Sequence, residues 1–246
     1  MNILVCVSKT PETTAKIKFS DDNTTFDSAG VQYILNPYDE WYALVRALEL
    51  KEAQGGSVTV LNVGPATNDP VIRKALAIGA DKAVRIDSDP QSSLYVAKQI
   101  AEYAKDKSFD LIFFGKETID YNGSEVGAMV AEYLDQPFLS YVSHLDMDGH
   151  AATATRDIEG GVEVVELDAP FVLSAAKGLA EQRIPNMMGI MQSKRKPLTV
   201  EAAVDFADPA QVVSYAKPPE KADVVLIDAD NMDELVRLLH EEAKVI

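Results

Sequence analysis

A run of small and polar residues between a strand and a helix can gather backbone N–H groups around an anion. The first N–H groups of a helix lack intrahelical partners and form the positive end of its dipole. Residues 115–134, GKETIDYNGSEVGAMVAEYL, have that composition. The apolar run Asp110-Leu-Ile-Phe-Phe114 precedes them, and behind the small residues Val126, Met129, Val130 and Tyr133 recur at i, i+3, i+4 and i+7, one face of a helix. The connection is longer than most strand-to-helix loops. It reads either as a phosphate loop or as a surface loop ending in a helix cap, and this stretch alone leaves both open.

Two further stretches sit at comparable places. Asn36-Pro37-Tyr38-Asp39 opens a helix, and Val63-Gly64-Pro65-Ala66 follows a strand. Open α/β sheets bind ligands outside the carboxyl ends of their strands, so three such loops brought together could frame a nucleotide, with 115–126 holding phosphate.

Other chemistry is missing. The chain has no G-x-x-x-x-G-K-[ST] and no G-x-G-x-x-G opening a helix, and its first strand-to-helix turn, VCVSKTPETT, contains no glycine. His144, His150 and His240 have no neighbour at metal-ligand spacing. There is no G-x-S-x-G elbow, and Cys6 lies in an apolar run, which predicts a buried structural thiol rather than a nucleophile. Acidic pairs such as Asp21-Asp22, Glu117/Asp120 and Glu241-Glu242 are expected among 39 acidic residues and read as solvated. No catalytic centre is expected on this chain.

The elements that position the three loops alternate. Strands are predicted at 3–7, 57–63, 82–86 and 110–115. Asn36-Pro37 reads as a cap followed by proline at the first helical position, with Trp41, Leu44, Val45 and Leu48 on one face. Asp69-Pro70 repeats the device before Ile72, Ala75 and Leu76, and Ala97, Ile100, Ala101 and Ala104 mark a third helix. This alternation predicts an α/β fold, an open, mainly parallel, doubly wound sheet with helices on both faces. After Pro137 the texture changes to strands at 141–146, 151–158 and 162–167 with a Glu159-Gly160-Gly161 hairpin turn, then a strand at 171–175. An irregular methionine-rich stretch with a basic knot, Lys194-Arg195-Lys196, leads into a polar arm ending in a helix with Met232, Leu235, Val236 and Leu239 on one face. The arm's sparse apolar groups would be buried by a partner chain or by folding back on the sheet.

The 246 residues, 47% of them hydrophobic, can bury a sizeable core, while a net charge of −16 argues against nucleic-acid binding. One cysteine fits a reducing compartment, and MNILVCVSK reads as a first strand rather than a signal peptide, so a cytoplasmic location is expected. No segment approaches the roughly 18 apolar residues of a membrane span, and no membrane insertion is expected.

Along essentially its whole length the chain resembles the β subunit of electron transfer flavoproteins (ETF). LVCVSKTPET is similar to the family's opening strand and loop, NPYDEWYALVRALELKE to its Asn-Pro helix start, and NVGPATNDPVIRKALAIGADKAVRI to its Gly-Pro loop and Ala-x-Gly-Ala-Asp turn. GKETIDYNGSEVGAM resembles its nucleotide loop. The most specific stretch is RDIEGGVEVVELDAPFVLSA, which keeps the family's order and spacing.

The resemblance implies a Rossmann-like, adenine-nucleotide-binding sheet with an antiparallel hairpin addition and an extended C-terminal arm. It implies an electron carrier subunit, heterodimeric with an ETF α subunit that holds most of the redox FAD, while this chain carries structural AMP. AMP contacts carried over by position are Cys6, Asn36, Pro37, Tyr38, Asp39, Val63, Gly115, Lys116, Ile119, Asp120, Asn122, Gly123, Ser124, Glu125 and Val126. A recognition loop that docks dehydrogenases falls on Arg183, Met187, Met188, Ile190 and Met191, with Met187 where the family has an anchoring leucine and with the family's prolines displaced. Implied partners are flavin dehydrogenases such as acyl-CoA dehydrogenases, and ETF-quinone oxidoreductase leading to the respiratory chain. The implied organisation is a nucleotide-binding domain at 1–180, a recognition loop at 181–198 and an arm at 199–246 that packs on the α subunit. Tyr121 and Gly123 depart from many relatives, which keeps open a bifurcating member with a second FAD in place of AMP. A stand-alone adenine-nucleotide sensor is the other alternative, and it leaves the arm unexplained.

Overall fold

Aliphatic and β-branched runs alternate their side chains between two faces of one sheet, and each face meets its own helices. In the computed structural model, which describes residues 1–221 and 223–246, the strands are β1 (Asn2–Cys6), β2 (Lys9–Pro11), β3 (Phe19–Ser20), β4 (Thr25–Phe26), β5 (Tyr33–Leu35), β6 (Ser57–Val63), β7 (Lys82–Asp87), β8 (Leu111–Gly115), β9 (Phe138–Asp148), β10 (Ala151–Ile158), β11 (Gly161–Asp168), β12 (Phe171–Ala175) and β13 (Leu198–Ala202). The helices are α1 (Asp39–Gln54), α2 (Asp69–Ile78), α3 (Ser93–Ala104), α4 (Val126–Leu134), α5 (Met187–Ser193) and α6 (Met232–Arg237). Ile3 and Val5 of β1 and Leu111 and Phe113 of β8 pack with α1 and α2, whereas Leu4, Cys6, Ile112 and Phe114 pack with α3 and α4. This is the period of two expected of strands buried on both sides. Truncating the fully buried Phe113 to alanine would cost about 3–5 kcal/mol.

The main sheet has nine strands in the order β11-β10-β9-β12-β8-β1-β6-β7-β13. Pairing is parallel from β9 to β13, and β9, β10 and β11 form antiparallel hairpins. The chain runs from β1 through α1 to β6 and through α2 to β7, then returns by α3 to β8 on the other side of β1. The order therefore reverses between β1 and β8. At such a switch point the connecting segments leave in opposite directions and open a crevice beyond the strand ends. The doubly wound, mainly parallel α/β fold is as expected.

Several local expectations need correction. Asn36-Pro37 does not open α1, which starts at Asp39 after Tyr38, a residue held at φ 67. Asn36 is instead fully buried, its side chain occupied elsewhere. Val126, Met129 and Val130 of the expected α4 face pack on the core together with Gly127 and Ala131, whereas Tyr133 stays 41% exposed beneath the Lys98 ammonium. Gly127 lets the helix lie flat, since a side chain there would strike the rings of Phe138 and Phe114. The methionine-rich stretch, read as irregular, contains α5.

The sheet also reaches into the segment expected as an arm, because β13 pairs in parallel with β7 from Leu198↔Ala83 to Ala202↔Asp87. The chain beyond it folds back further. Gln99 exchanges two hydrogen bonds with the backbone of Val204, Asp208 accepts from the N–H groups of Gln91 and Ser92, and Tyr215 stacks on Phe19 at 4.8 Å. Val224, Val225 and Leu226 are by contrast largely exposed, as are Met232 and Val236 of α6.

Candidate functional site

At the switch point β8 ends in Gly115 and hands over to Lys116, whose N–H bonds the carbonyl of Ala175 at the end of β12. Gly115 is pressed against α1. A side chain there would stand 2.8 Å from both Cγ and the backbone N of Glu40, so the close approach requires glycine. Asn36 ties the same helix entry to the long loop: its Nδ2 donates to the carbonyl of Glu117 at 3.0 Å, and its Oδ1 accepts from the N–H of Ile119 at 3.1 Å. Its own N–H bonds the carbonyl of Ser8, and the N–H of Ser8 donates to Glu40 Oε2 at 2.6 Å. Four segments, the ends of β1 and β8, residue 36 and the first turn of α1, thus form one knot. Because each member is a backbone group or a buried side chain, the geometry is fixed before any ligand arrives.

The acids of this knot are unusual. Glu40 is 5% exposed, and burial pushes its carboxyl up to about 8. Asp39 is 8% exposed and is raised by burial to about 6, with the Lys116 ammonium opposing the shift. Burial likewise pushes the Cys6 thiol well above its ordinary range, which rules it out as a nucleophile near neutrality.

The long loop itself divides. Residues 115–119 are half-buried, whereas Asp120, Tyr121, Asn122, Gly123, Ser124 and Glu125 face solvent. The N–H of Asn122 is closed onto the carbonyl of Thr118, and Asn122 and Ser124 adopt φ of 51 and 55. α4 then begins after Glu125 with no side-chain cap. α1 and α2 also begin without a side-chain cap, whereas Ser92 Oγ and Asn186 Oδ1 close the first turns of α3 and α5. The N–H groups opening α4 thus have no side-chain acceptor among the described residues, an arrangement that can accept an anion.

On the other side of β1, Val63 ends β6 and the following turn is held by buried polar groups. Arg85 donates to the carbonyl of Gly64 at 2.9 Å while pairing with Asp69 and Asp87. Asn68 donates to Asn62, which donates to the carbonyl of Val7. Gly64 has room for no Cβ beside Asn68. Val63 packs into the core with the α3 and α4 face. The structure thus brings Asn36, Asp39 and residues 115–119 of the loop together beside the end of β1, while Cys6 and Val63 pack into the core on the α3 and α4 face. Cavities of about 380 Å³ beneath residues 12–32 and about 160 Å³ beside Phe109 and Tyr133 lie away from these loops.

The second set of expected residues is elsewhere. Met187, Met188 and Met191 are 66–76% exposed on α5, with Ile190 beside them. Arg183 grips α1 through both oxygens of Glu52 at 2.6 and 2.9 Å, and its carbonyl accepts from Trp41 Nε1.

A doubly wound sheet with its switch point between β1 and β8 coincides with a sequence match: the electron transfer flavoprotein domain model covers residues 23–206. The chain belongs to the electron transfer flavoprotein family. It is 36% identical to the electron transfer flavoprotein subunit beta of Bacillus subtilis, all of both chains being covered. It is 34% identical to the subunit beta of Syntrophomonas wolfei, over 93% of this chain and 90% of that one, and 30% identical to the human subunit beta, over 100% and 99%.

Sequence reasoning missed Glu40. A signal was present, because Ala43, Leu44 and Ala47 follow it at i+3, i+4 and i+7 and all are buried. An acid on that stripe must lie against the sheet rather than in water. The three histidines stay out of the site; His144 pairs with Asp146 on β9, and no metal-binding cluster exists among the described residues. No helix among them is long and apolar enough to cross a membrane.

Proposed function

We propose that the chain is the β subunit of a heterodimeric electron transfer flavoprotein and that it binds AMP in the crevice between β1 and β8. The observation that carries this reading is the uncapped N-terminus of α4 at the end of a loop that Asn36 ties down beside the β1–β8 switch point. A monophosphate fits there: Gly123 and Ser124 add no bulk, and the N–H groups from Gly123 to Val126 supply donors without side-chain competition. Glu40 weighs less against an anion than its type suggests, since at about 8 it is mostly protonated at neutral pH, whereas Asp39, at about 6, stays mostly ionised. Asp120, exposed on the loop, serves the ribose or the loop itself rather than the phosphate.

In this reading the redox chemistry is supplied by FAD held mainly by the α subunit. This chain's residues bind AMP, help enclose the flavin, and present α5 to flavin dehydrogenases of the acyl-CoA type. Electrons then pass to ETF-quinone oxidoreductase. Relatives aligned end to end and named subunit beta support the α partner, and the exposed apolar residues of the last 24 positions suit burial against it. A single, buried cysteine suits a cytoplasmic setting.

Co-expression with the α partner followed by acid extraction of bound nucleotides tests the assignment. FAD and AMP in equal amounts are expected. Two equivalents of FAD would make it a bifurcating member, and a monomer that binds ATP would overturn both readings.

A further inference from the structure

The methionine-bearing helix is not a loose loop but is clasped to α2 by an exchange of helix ends. Lys196 Nζ donates to the carbonyls of Leu76, Gly79 and Ala80 at 2.9, 3.3 and 2.6 Å, closing the C-terminus of α2. Arg73, on α2, sends NH1 to the carbonyls of Ser193 and Lys196 at 2.7 and 2.6 Å, closing the C-terminus of α5. Each helix therefore has a cation from the other segment on a carbonyl of its last turn and on carbonyls just beyond it, where the dipole also favours positive charge. Between the two caps Gly189 rests on the carbonyl of Ala77, and a Cβ there would come within 2.5 Å of that oxygen.

Neither Arg73 nor Lys196 forms an ion pair with a carboxylate among the described residues, so the carbonyls are their direct polar partners. Burial holds the Lys196 pKa below its ordinary value, as befits an ammonium withdrawn from water rather than part of a solvated basic knot. The opposite side of α5 carries exposed Met187, Met188 and Met191. A helix of seven residues has little stability of its own, so its conformation depends on these tertiary bonds.

We propose that Arg73 and Lys196 are positioning residues for dehydrogenase docking: they hold α5 in a preset orientation so that its thioether side chains enter an apolar recess on the partner without first having to be ordered. This rests on the reading that residues 187–191 dock. Thioethers adapt to a recess once the backbone beneath them is fixed, and a helix already in place loses less entropy on binding.

The test uses the co-expressed complex carrying Arg73→Met or Lys196→Met, assayed against a flavin dehydrogenase over a range of carrier concentrations, with amide hydrogen exchange and nucleotide content measured on the same samples. KM for the carrier is expected to rise at least about ten-fold, comparable to ordering the backbone of one residue at docking. kcat and bound AMP should stay unchanged, exchange at 187–193 should accelerate, and Arg73→Lys should restore part of the loss. Faster exchange with an unchanged KM would reduce the clasp to a structural contact and overturn the proposal, as would unchanged exchange. A Met187→Ala/Met188→Ala/Met191→Ala complex separates the two layers. If it too leaves KM unchanged, the docking reading falls; if it raises KM while Arg73→Met does not, the clasp alone falls.

Discussion

Glu40→Gln isolates a single buried proton. The wild-type carboxyl sits under Gly115 and accepts the N–H of Ser8 at 2.6 Å, with burial raising its pKa from 4.5 to about 8. Between those values the folded chain holds a proton that the unfolded chain has released, so stability falls as pH rises through this window. The slope approaches about 1.4 kcal/mol per pH unit, and the loss from pH 6 to pH 8 amounts to about 2 kcal/mol. Asp39, raised to about 6, contributes with the same sign mainly below that interval. Gln has the same shape, still offers an oxygen to Ser8, and cannot ionise. Urea denaturation of both chains at pH 6 and pH 8 should therefore show the variant gaining about 2 kcal/mol relative to wild type, with equal m-values. Parallel pH dependence in the two chains would refute the reasoning, because Glu40 would then be titrating as an ordinary surface acid.

Asn36→Ala strands the carbonyl of Glu117 and the N–H of Ile119. It should destabilise the chain by about 1–3 kcal/mol and raise hydrogen exchange across 115–126. Gly115→Ala forces a Cβ against Glu40 and should cost about 1–3 kcal/mol, with AMP lost from acid extracts of the complex if the crevice is its site. Met187→Ala, whose side chain is 76% exposed, should slow electron transfer from a dehydrogenase without releasing AMP. Loss of AMP from that variant would place the docking face wrongly.

The central strands were legible because burial on both faces leaves a run of apolar residues with no need for tertiary information, as in 57–63 and 171–175, which coincide with β6 and β12; 151–158, which coincides with β10, was legible instead from alternation before a Gly-Gly turn. The start of α1 was not. Asn-Pro before an apolar stripe is a sound local cap signal, but the amide of Asn36 is engaged by backbone 81 and 83 residues away, a competitor that no local window contains. β13 was hidden for the opposite reason: its residues are mostly exposed, so LTVEA carries no buried alternation, and its place comes from pairing with β7. α5 was hard to see because its one local signal is the Asn186 cap, while its seven residues are otherwise held by Arg73 and Lys196 from distant contacts.

Counting charges from the sequence treats all 39 acidic residues as equivalent and leaves an anion site on a chain of net charge −16 looking improbable. Burial breaks that equivalence where it matters. The acids that line the first turn of α1 are the ones displaced toward neutrality, while Asp120 and Glu125 remain in solvent, where water screens them. Glu40 lies on the apolar stripe because it must reach the N–H of Ser8, and that contact and Gly115 together fix where β1 and β8 part. The packing that ties β1, β8 and the first turn of α1 together therefore also displaces Glu40 toward its neutral form, so geometry and electrostatics in this knot have one cause.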